Sequence, residues 1–317
     1  MKRFLVLMFA IVVIGLAGCS QGSSSSNSDE VVLGLALPSA THGWMGALIQ
    51  NAEDQAKALV EEGVIDDYIF TTADSPSAQV NNVEDLIAQG VDAIVMLPLE
   101  SEALSPVALK IKEANIPLVI VDRELTNDAA TVVVKGDNTG IGTNAGKYFI
   151  EQLGGSGKIV EIAGPSSSVT QQRSDGFREA IEGSNIEIIA SQSGDFSTET
   201  SLRVMENILT AQPNIDAVYT QDDGMALGVI QAIKEANRTD IKFVTGAGGS
   251  KEVYQIIQED GMIKATFLYS PLMVKDGVIL GAKLANGEQA ESAEVVIPAS
   301  PVTNDNVADH YDPEANF

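Results

Sequence analysis

The chain has 317 residues, 44 acidic side chains against 19 basic ones and a formal net charge of −25. Such a charge disfavours binding to DNA or RNA through phosphates, and it disfavours a polyanionic ligand. One cysteine in the whole chain rules out an internal disulfide, and the length exceeds what one hydrophobic core usually organises, so two domains are expected.

Met1-Lys2-Arg3 places two positive charges ahead of an apolar run over residues 4–18. That run is too short for a membrane span, and residues 1–18 read as a secretory signal peptide. Leu16-Ala17-Gly18-Cys19 resembles the lipobox of bacterial lipoproteins. Cleavage ahead of Cys19 would leave a lipidated N-terminus, and loss of Lys2 and Arg3 would take the net charge from −25 to −27. The alternative for Cys19 is an ordinary thiol. Residues 19–29 are rich in serine and lack apolar side chains to pack, which predicts a lipidated tether with the folded part starting near Asp29. The expected location is a membrane lipid anchor facing the periplasm or the cell exterior.

Short β-branched runs then alternate with amphipathic stretches. The first series is strand 31–37, helix 44–62, strand 68–72, helix 78–88, strand 93–97, helix 104–114 and strand 118–121. The second is helix 140–153, strand 158–162, helix 171–182, strand 186–191, helix 199–210, strand 217–219, helix 225–236 and strand 242–245. Alternation of this kind predicts an α/β protein with parallel sheets. The two series are related: Val91-Asp92-Ala93-Ile94-Val95 returns as Ile215-Asp216-Ala217-Val218-Tyr219, and Ile111-Lys112-Glu113-Ala114-Asn115 returns unchanged as Ile233-Lys234-Glu235-Ala236-Asn237. Two similar doubly wound parallel-sheet lobes follow. Ligands of open α/β sheets sit beyond the carboxyl ends of the strands, so two facing lobes would share one cleft.

Polar residues cluster directly after predicted strands: Thr41-His42-Gly43-Trp44, Asp122-Arg123 and Gln221-Asp222-Asp223. Three longer segments, Val119-Ile120-Val121-Asp122-Arg123, Gln172-Arg173-Ser174-Asp175-Gly176-Phe177 and Gln221-Asp222-Asp223-Gly224-Met225-Ala226-Leu227-Gly228, stand in one order along the chain. Together they make it resemble the ribose- and galactose-type periplasmic sugar-binding proteins from residue 31 to about 302. The resemblance implies the periplasmic binding protein-like I fold, with a three-strand hinge near Gly136, Tyr269 and Pro298. It places the N-terminal lobe at 30–136 plus 270–297 and the C-terminal lobe at 137–269 plus 298–317. By the same resemblance Asp122, Arg123, Arg173 and Asp222 hydrogen-bond ligand hydroxyls, and Trp44 and Phe196 cover the sugar ring. His42 and Tyr269 fall at ligand-contacting positions.

Those side chains suit a sugar. Carboxylates accept from hydroxyls, the guanidinium fork donates in a fixed plane, and an aromatic ring covers the C–H face, with Trp44 bringing an N–H to spare. Each residue also has a plainer reading: Asp122-Arg123 as a surface pair, Asp222 or Asp223 as an N-cap, Trp44 and Phe196 as packing residues, and His42 as a polar loop residue. Gly246-Ala247-Gly248-Gly249 departs from the ribose-type pattern, which carries aspartate at the position of Ala247. With Asp222 and His42, this points away from ribose itself.

The function expected is capture of a monosaccharide or polyol by a monomeric, non-enzymatic solute-binding lipoprotein, without a cofactor, and its delivery to the membrane subunits of an ABC transporter. The sequence has neither a GxSxG nor a Walker loop nor a His/Cys metal cluster, and its two histidines are His42 and His310. The alternatives are an exported sensory receptor or a nucleoside- or autoinducer-binding protein using the same closure.

Overall fold

The computed structural model describes residues 30–313 and 317. The signal segment, Cys19 and the tether expected from the sequence lie outside them. The first run of elements is β1 (Val32–Pro38), α1 (Gly43–Glu61), β2 (Asp67–Ala73), α2 (Pro76–Gln89), β3 (Ala93–Met96), α3 (Ser101–Glu113), β4 (Leu118–Val121) and β5 (Val132–Gly136). It continues with α4 (Asn138–Leu153), β6 (Ser156–Ala163), α5 (Ser168–Ile181), β7 (Asn185–Ser193), α6 (Thr198–Ala211), β8 (Ala217–Thr220), α7 (Asp223–Glu235) and β9 (Phe243–Thr245). The last part holds α8 (Lys251–Gln258), β10 (Ile263–Phe267), α9 (Met273–Ala285), β11 (Glu294–Ile297) and β12 (Pro301–Thr303). Among the described residues no helix is long and apolar enough to cross a membrane.

These strands form two six-stranded sheets, in the orders β11-β5-β4-β3-β1-β2 and β12-β10-β9-β8-β6-β7. The first is parallel throughout, and the second is parallel except that β12 runs antiparallel to β10. Each is doubly wound, starting at an inner strand and reversing direction, which opens a crevice at the carboxyl ends beside β1 in one lobe and β6 in the other. Strands β3, β4 and β8 are buried along their whole length, as strands covered by helices on both faces must be.

The internal repeat does the same work in both lobes. Asp92 Oδ2 accepts from the Val32 N–H at 2.7 Å, and Asp216 Oδ2 accepts from the Lys158 N–H at 2.8 Å, so each aspartate ties the start of its lobe's first strand. Asn115 and Asn237 both adopt positive φ, 58° and 53°, just past the ends of α3 and α7. Asparagine tolerates this left-handed conformation better than most residues, so the repeat preserves a helix stop as well as a strand start.

The chain passes between the sheets three times, after β5, after β10 and after β11. Neighbouring passages are stitched by Asp137 N–H to the Ile297 carbonyl at 2.9 Å, Leu268 N–H to the Ser300 carbonyl at 2.9 Å and Asn144 Nδ2 to the Ala299 carbonyl at 2.7 Å. Helix α9 returns to the first sheet, where a Cβ at Gly281 would lie 2.6 Å from a Val95 methyl. In the second lobe α4 and α5 cross very closely: a Cβ at Gly142 would lie 2.1 Å from the Arg173 carbonyl oxygen. Only glycine permits that approach, and it fixes where α5 presents Arg173.

Candidate functional site

The residues singled out from the sequence converge on one cavity. His42, Trp44, Asp122, Arg123, Arg173, Phe196, Asp222 and Tyr269 all line it, with Val169, Ala247 and Gly248. The first lobe supplies His42 from the loop after β1, Trp44 from the first turn of α1, and Asp122 and Arg123 from the loop after β4. The second supplies Arg173 from α5, Phe196 from the loop after β7 and Asp222 from the end of β8, while Tyr269 stands where the chain leaves β10. The lobes are drawn together over it. The His42 and Phe196 rings lie 5.8 Å apart, and Gln172 Nε2 donates to Glu124 Oε1 at 3.3 Å.

Helix starts place several of these groups. His42 is the N-cap of α1, and its Nδ1 accepts from the Met45 N–H at 3.4 Å, so the ring proton belongs on Nε2. Burial, and then Arg123 and Arg173, hold His42 down to about 4, keeping the imidazole neutral at physiological pH. Asp222 is the N-cap of α7, accepting from the Met225 N–H at 3.0 Å, and Ser197 caps α6 beside Phe196. Asp222 therefore combines the capping and cavity-lining positions that the sequence left as alternatives. Burial, followed by the neighbouring Asp223, pushes its carboxyl up to about 7.

Tyr269 organises the centre. Its hydroxyl donates to Asp122 Oδ1 and accepts from Asn138 Nδ2 at 3.2 Å. The Arg173 guanidinium stands 4.4 Å from its ring centroid, a cation–π contact. Arg173 also donates through Nε to Asn138 Oδ1 at 2.9 Å and through Nη1 to the Gln221 carbonyl at 2.5 Å. Asn138 escaped the sequence reading; its only signal was its place at the start of a helix beside the expected hinge. Burial raises the Asp122 carboxyl above its ordinary range, against the opposing pull of Arg123 and the Tyr269 hydroxyl. Asp122 sits at φ 68° and Phe196 at φ 49°, sparsely populated for side-chain-bearing residues and held by the surrounding packing.

One detail corrects the sequence reading. The Trp44 N–H is not spare: Nε1 donates to the Tyr269 carbonyl at 2.6 Å, so the indole offers its face and not its donor. Asp223 does not line the cavity. It accepts from the Gly249 and Ser250 N–H groups at 2.8 and 2.6 Å and from the Thr266 hydroxyl at 2.7 Å, anchoring the loop after β9.

Arg123 is only partly satisfied. Nη1 donates to the Leu99 carbonyl at 2.6 Å, and Nε lies 3.8 Å from Asp122 Oδ2, too far for a hydrogen bond. Nε is buried with no hydrogen-bond partner. A buried donor left in this way, in a cavity lined by two aspartates and by the Trp44, Phe196 and Tyr269 rings, suits a small molecule rich in hydroxyls.

Two α/β lobes closing on one cavity lined by charged and aromatic side chains define the class of two-lobed solute-binding proteins. The chain belongs to the periplasmic binding protein family: the model described as "Periplasmic binding protein domain" matches residues 33–289. It is 30% identical over 282 residues to the ribose import binding protein RbsB of Bacillus subtilis, covering 86% of this chain and 90% of that one. Among solved structures it is similar to an ABC transporter solute-binding protein from Mycobacterium smegmatis with bound glycerol, at a TM-score of 0.83 and 29% identity over 90% of this chain and 98% of the other. It is also similar to the periplasmic binding protein of an arabinose ABC transporter from Shewanella sp. ANA-3, bound to L-arabinofuranose, at a TM-score of 0.80 and 27% identity over 89% and 94% of the chains.

Proposed function

We propose that this protein captures a monosaccharide or related polyol between its lobes and delivers it to the membrane subunits of an ABC importer. The observation that carries this reading is the convergence of eight side chains from both sheets on one cavity, with the Arg123 Nε donor buried and unpartnered. In the proposed site Asp122 and Asp222 accept from ligand hydroxyls, Arg123 and Arg173 donate to ligand oxygens, and Trp44 and Phe196 cover the C–H faces. The neutral His42 offers its Nε2 proton, and Tyr269 holds Asp122 in place.

The bodies that move are the lobe of 30–136 plus 270–297 and the lobe of 137–269 plus 298–317, hinged at the three passages. The cavity lies between residues of both lobes, so the lobes part to admit a sugar. A ligand touching both lobes binds the closed form better than the open one and shifts the population toward it. The protein acts as a monomer, exported and tethered at the membrane through lipid on Cys19, with the closed form recognised by the transporter. This role requires no catalytic step.

The test is titration of the protein with pentoses, hexoses and polyols while following fluorescence from Trp44, the single tryptophan, and the melting temperature. A bound sugar at a hundredfold excess over Kd stabilises the fold by about 2.7 kcal/mol. Silence toward every sugar and polyol, with a response to nucleosides, would overturn the assignment.

A further inference from the structure

We infer that the cavity selects a deoxy sugar over its fully hydroxylated parent, because the wall formed by Val169, Ala247 and Gly248 has no side chain that can hydrogen-bond a hydroxyl. This rests on the reading of the cavity as a sugar site and narrows its ligand.

The polar groups are unevenly spread around the cavity. Asp122, Arg123, Arg173 and Asp222 supply charged side chains, whereas Val169, Ala247 and Gly248 supply none able to exchange a hydrogen bond. The backbone of the loop is largely engaged within the fold. The Ala247 carbonyl accepts from the Asp223 N–H at 2.9 Å, the Gly248 N–H donates to the Phe267 carbonyl at 2.9 Å, and the Gly248 carbonyl accepts from the Tyr269 N–H at 3.0 Å. Beneath the loop, both Asp223 carboxylate oxygens are taken by Gly249, Ser250 and Thr266. Gly248 also sits at φ 140°, where side chains rarely fit, so a polar group could enter this wall most simply at position 247.

A ligand hydroxyl turned toward this wall gives up water without gaining a side-chain partner, which lowers affinity by about ten- to a hundredfold. A methyl or methylene in the same place packs against Val169 and Ala247 by dispersion and loses nothing. The bound sugar therefore presents a carbon without a hydroxyl there.

The experiment is isothermal titration of the full chain with matched pairs: D-galactose and 6-deoxy-D-galactose, L-mannose and 6-deoxy-L-mannose, D-ribose and 2-deoxy-D-ribose. In at least one pair the deoxy member is expected to bind about tenfold tighter or better. The Ala247→Asn variant, which restores a donor and an acceptor to the wall, is expected to shrink or reverse that preference. If every parent binds as tightly as its deoxy partner in the unaltered chain, the inference falls while the sugar-binding reading stands. If a correctly folded chain binds neither member of any pair nor any other sugar or polyol, the sugar-binding reading falls and takes the inference with it.

Discussion

The Tyr269 hydroxyl donates to Asp122, joining the passage after β10 to the loop after β4. Neither residue reaches the cavity independently: Asp122 sits at positive φ, and the Tyr269 ring is pinned under the Arg173 guanidinium. Tyr269→Phe keeps the ring and removes only the hydroxyl, leaving Asp122 buried with one donor fewer and the Asn138 amide without its acceptor. The expected result is a loss of about 1–3 kcal/mol in urea unfolding and a roughly tenfold weaker ligand. Unchanged values in both measurements would mean that the bond is incidental.

Gly136 ends β5 directly beneath that tyrosine, and a Cβ there would lie 2.2 Å from a ring carbon. Gly136→Ala is expected to displace Tyr269, costing about 1–3 kcal/mol of stability and about tenfold or more in affinity. Gly46→Ala in α1 is the control, since its nearest atom is the Ala40 Cβ at 4.0 Å. There the gain in helix propensity predicts about 0.5–1 kcal/mol of added stability. Equal effects from the two substitutions would refute the steric account.

Asp222 makes stability depend on pH with an unusual sign. Its carboxyl titrates at about 7 in the fold against 3.8 ordinarily, so the folded state holds the proton more tightly than the unfolded chain does. That contribution is present in full below the ordinary value and is lost as pH rises through about 7. Asp222→Asn keeps an N-cap acceptor and abolishes the titration. Relative to the unaltered protein, the variant is expected to gain roughly 2–4 kcal/mol between pH 4 and pH 8, read from urea unfolding at both. A difference that stays constant with pH would show that Asp222 titrates normally.

Tyr219 packs its ring 4.4 Å from Phe177, and its hydroxyl is buried with no hydrogen-bond partner. Tyr219→Phe removes an unsatisfied group and leaves the stack. It is expected to raise stability by about 1 kcal/mol without altering ligand affinity. Destabilisation in chemical unfolding would count against this.

Much of the architecture is legible in the sequence because both lobes obey one pattern, and the recurring Asp92/Asp216 and Asn115/Asn237 perform identical tasks. Strand β5 and every element after β9 escape the sequence reading, the final strands among them. β11 and β12 have four and three residues, and their partners β5 and β10 come from elsewhere in the chain, so no local periodicity announces them. The charged and aromatic cavity residues stand out because polar groups after strands carry a chemical signature. Ala247 is marked only through the family resemblance, and Val169 and Gly248 become recognisable only when the loops are assembled around the cavity. That the Tyr269 carbonyl takes the Trp44 proton is equally invisible, since these residues meet only through the fold.

His42 and Asp222 begin helices with the same side chains that face the cavity. Changing ligand preference at either position therefore draws on a small alphabet, because Ser, Thr, Asn or Asp can start a helix where Leu or Val cannot. Val169 and Ala247 carry no such duty, and drift there is restrained mainly by volume. Relatives of this chain are accordingly expected to diversify their specificity through the apolar wall sooner than through the capping residues, keeping the polar frame while the shape of the accepted sugar changes.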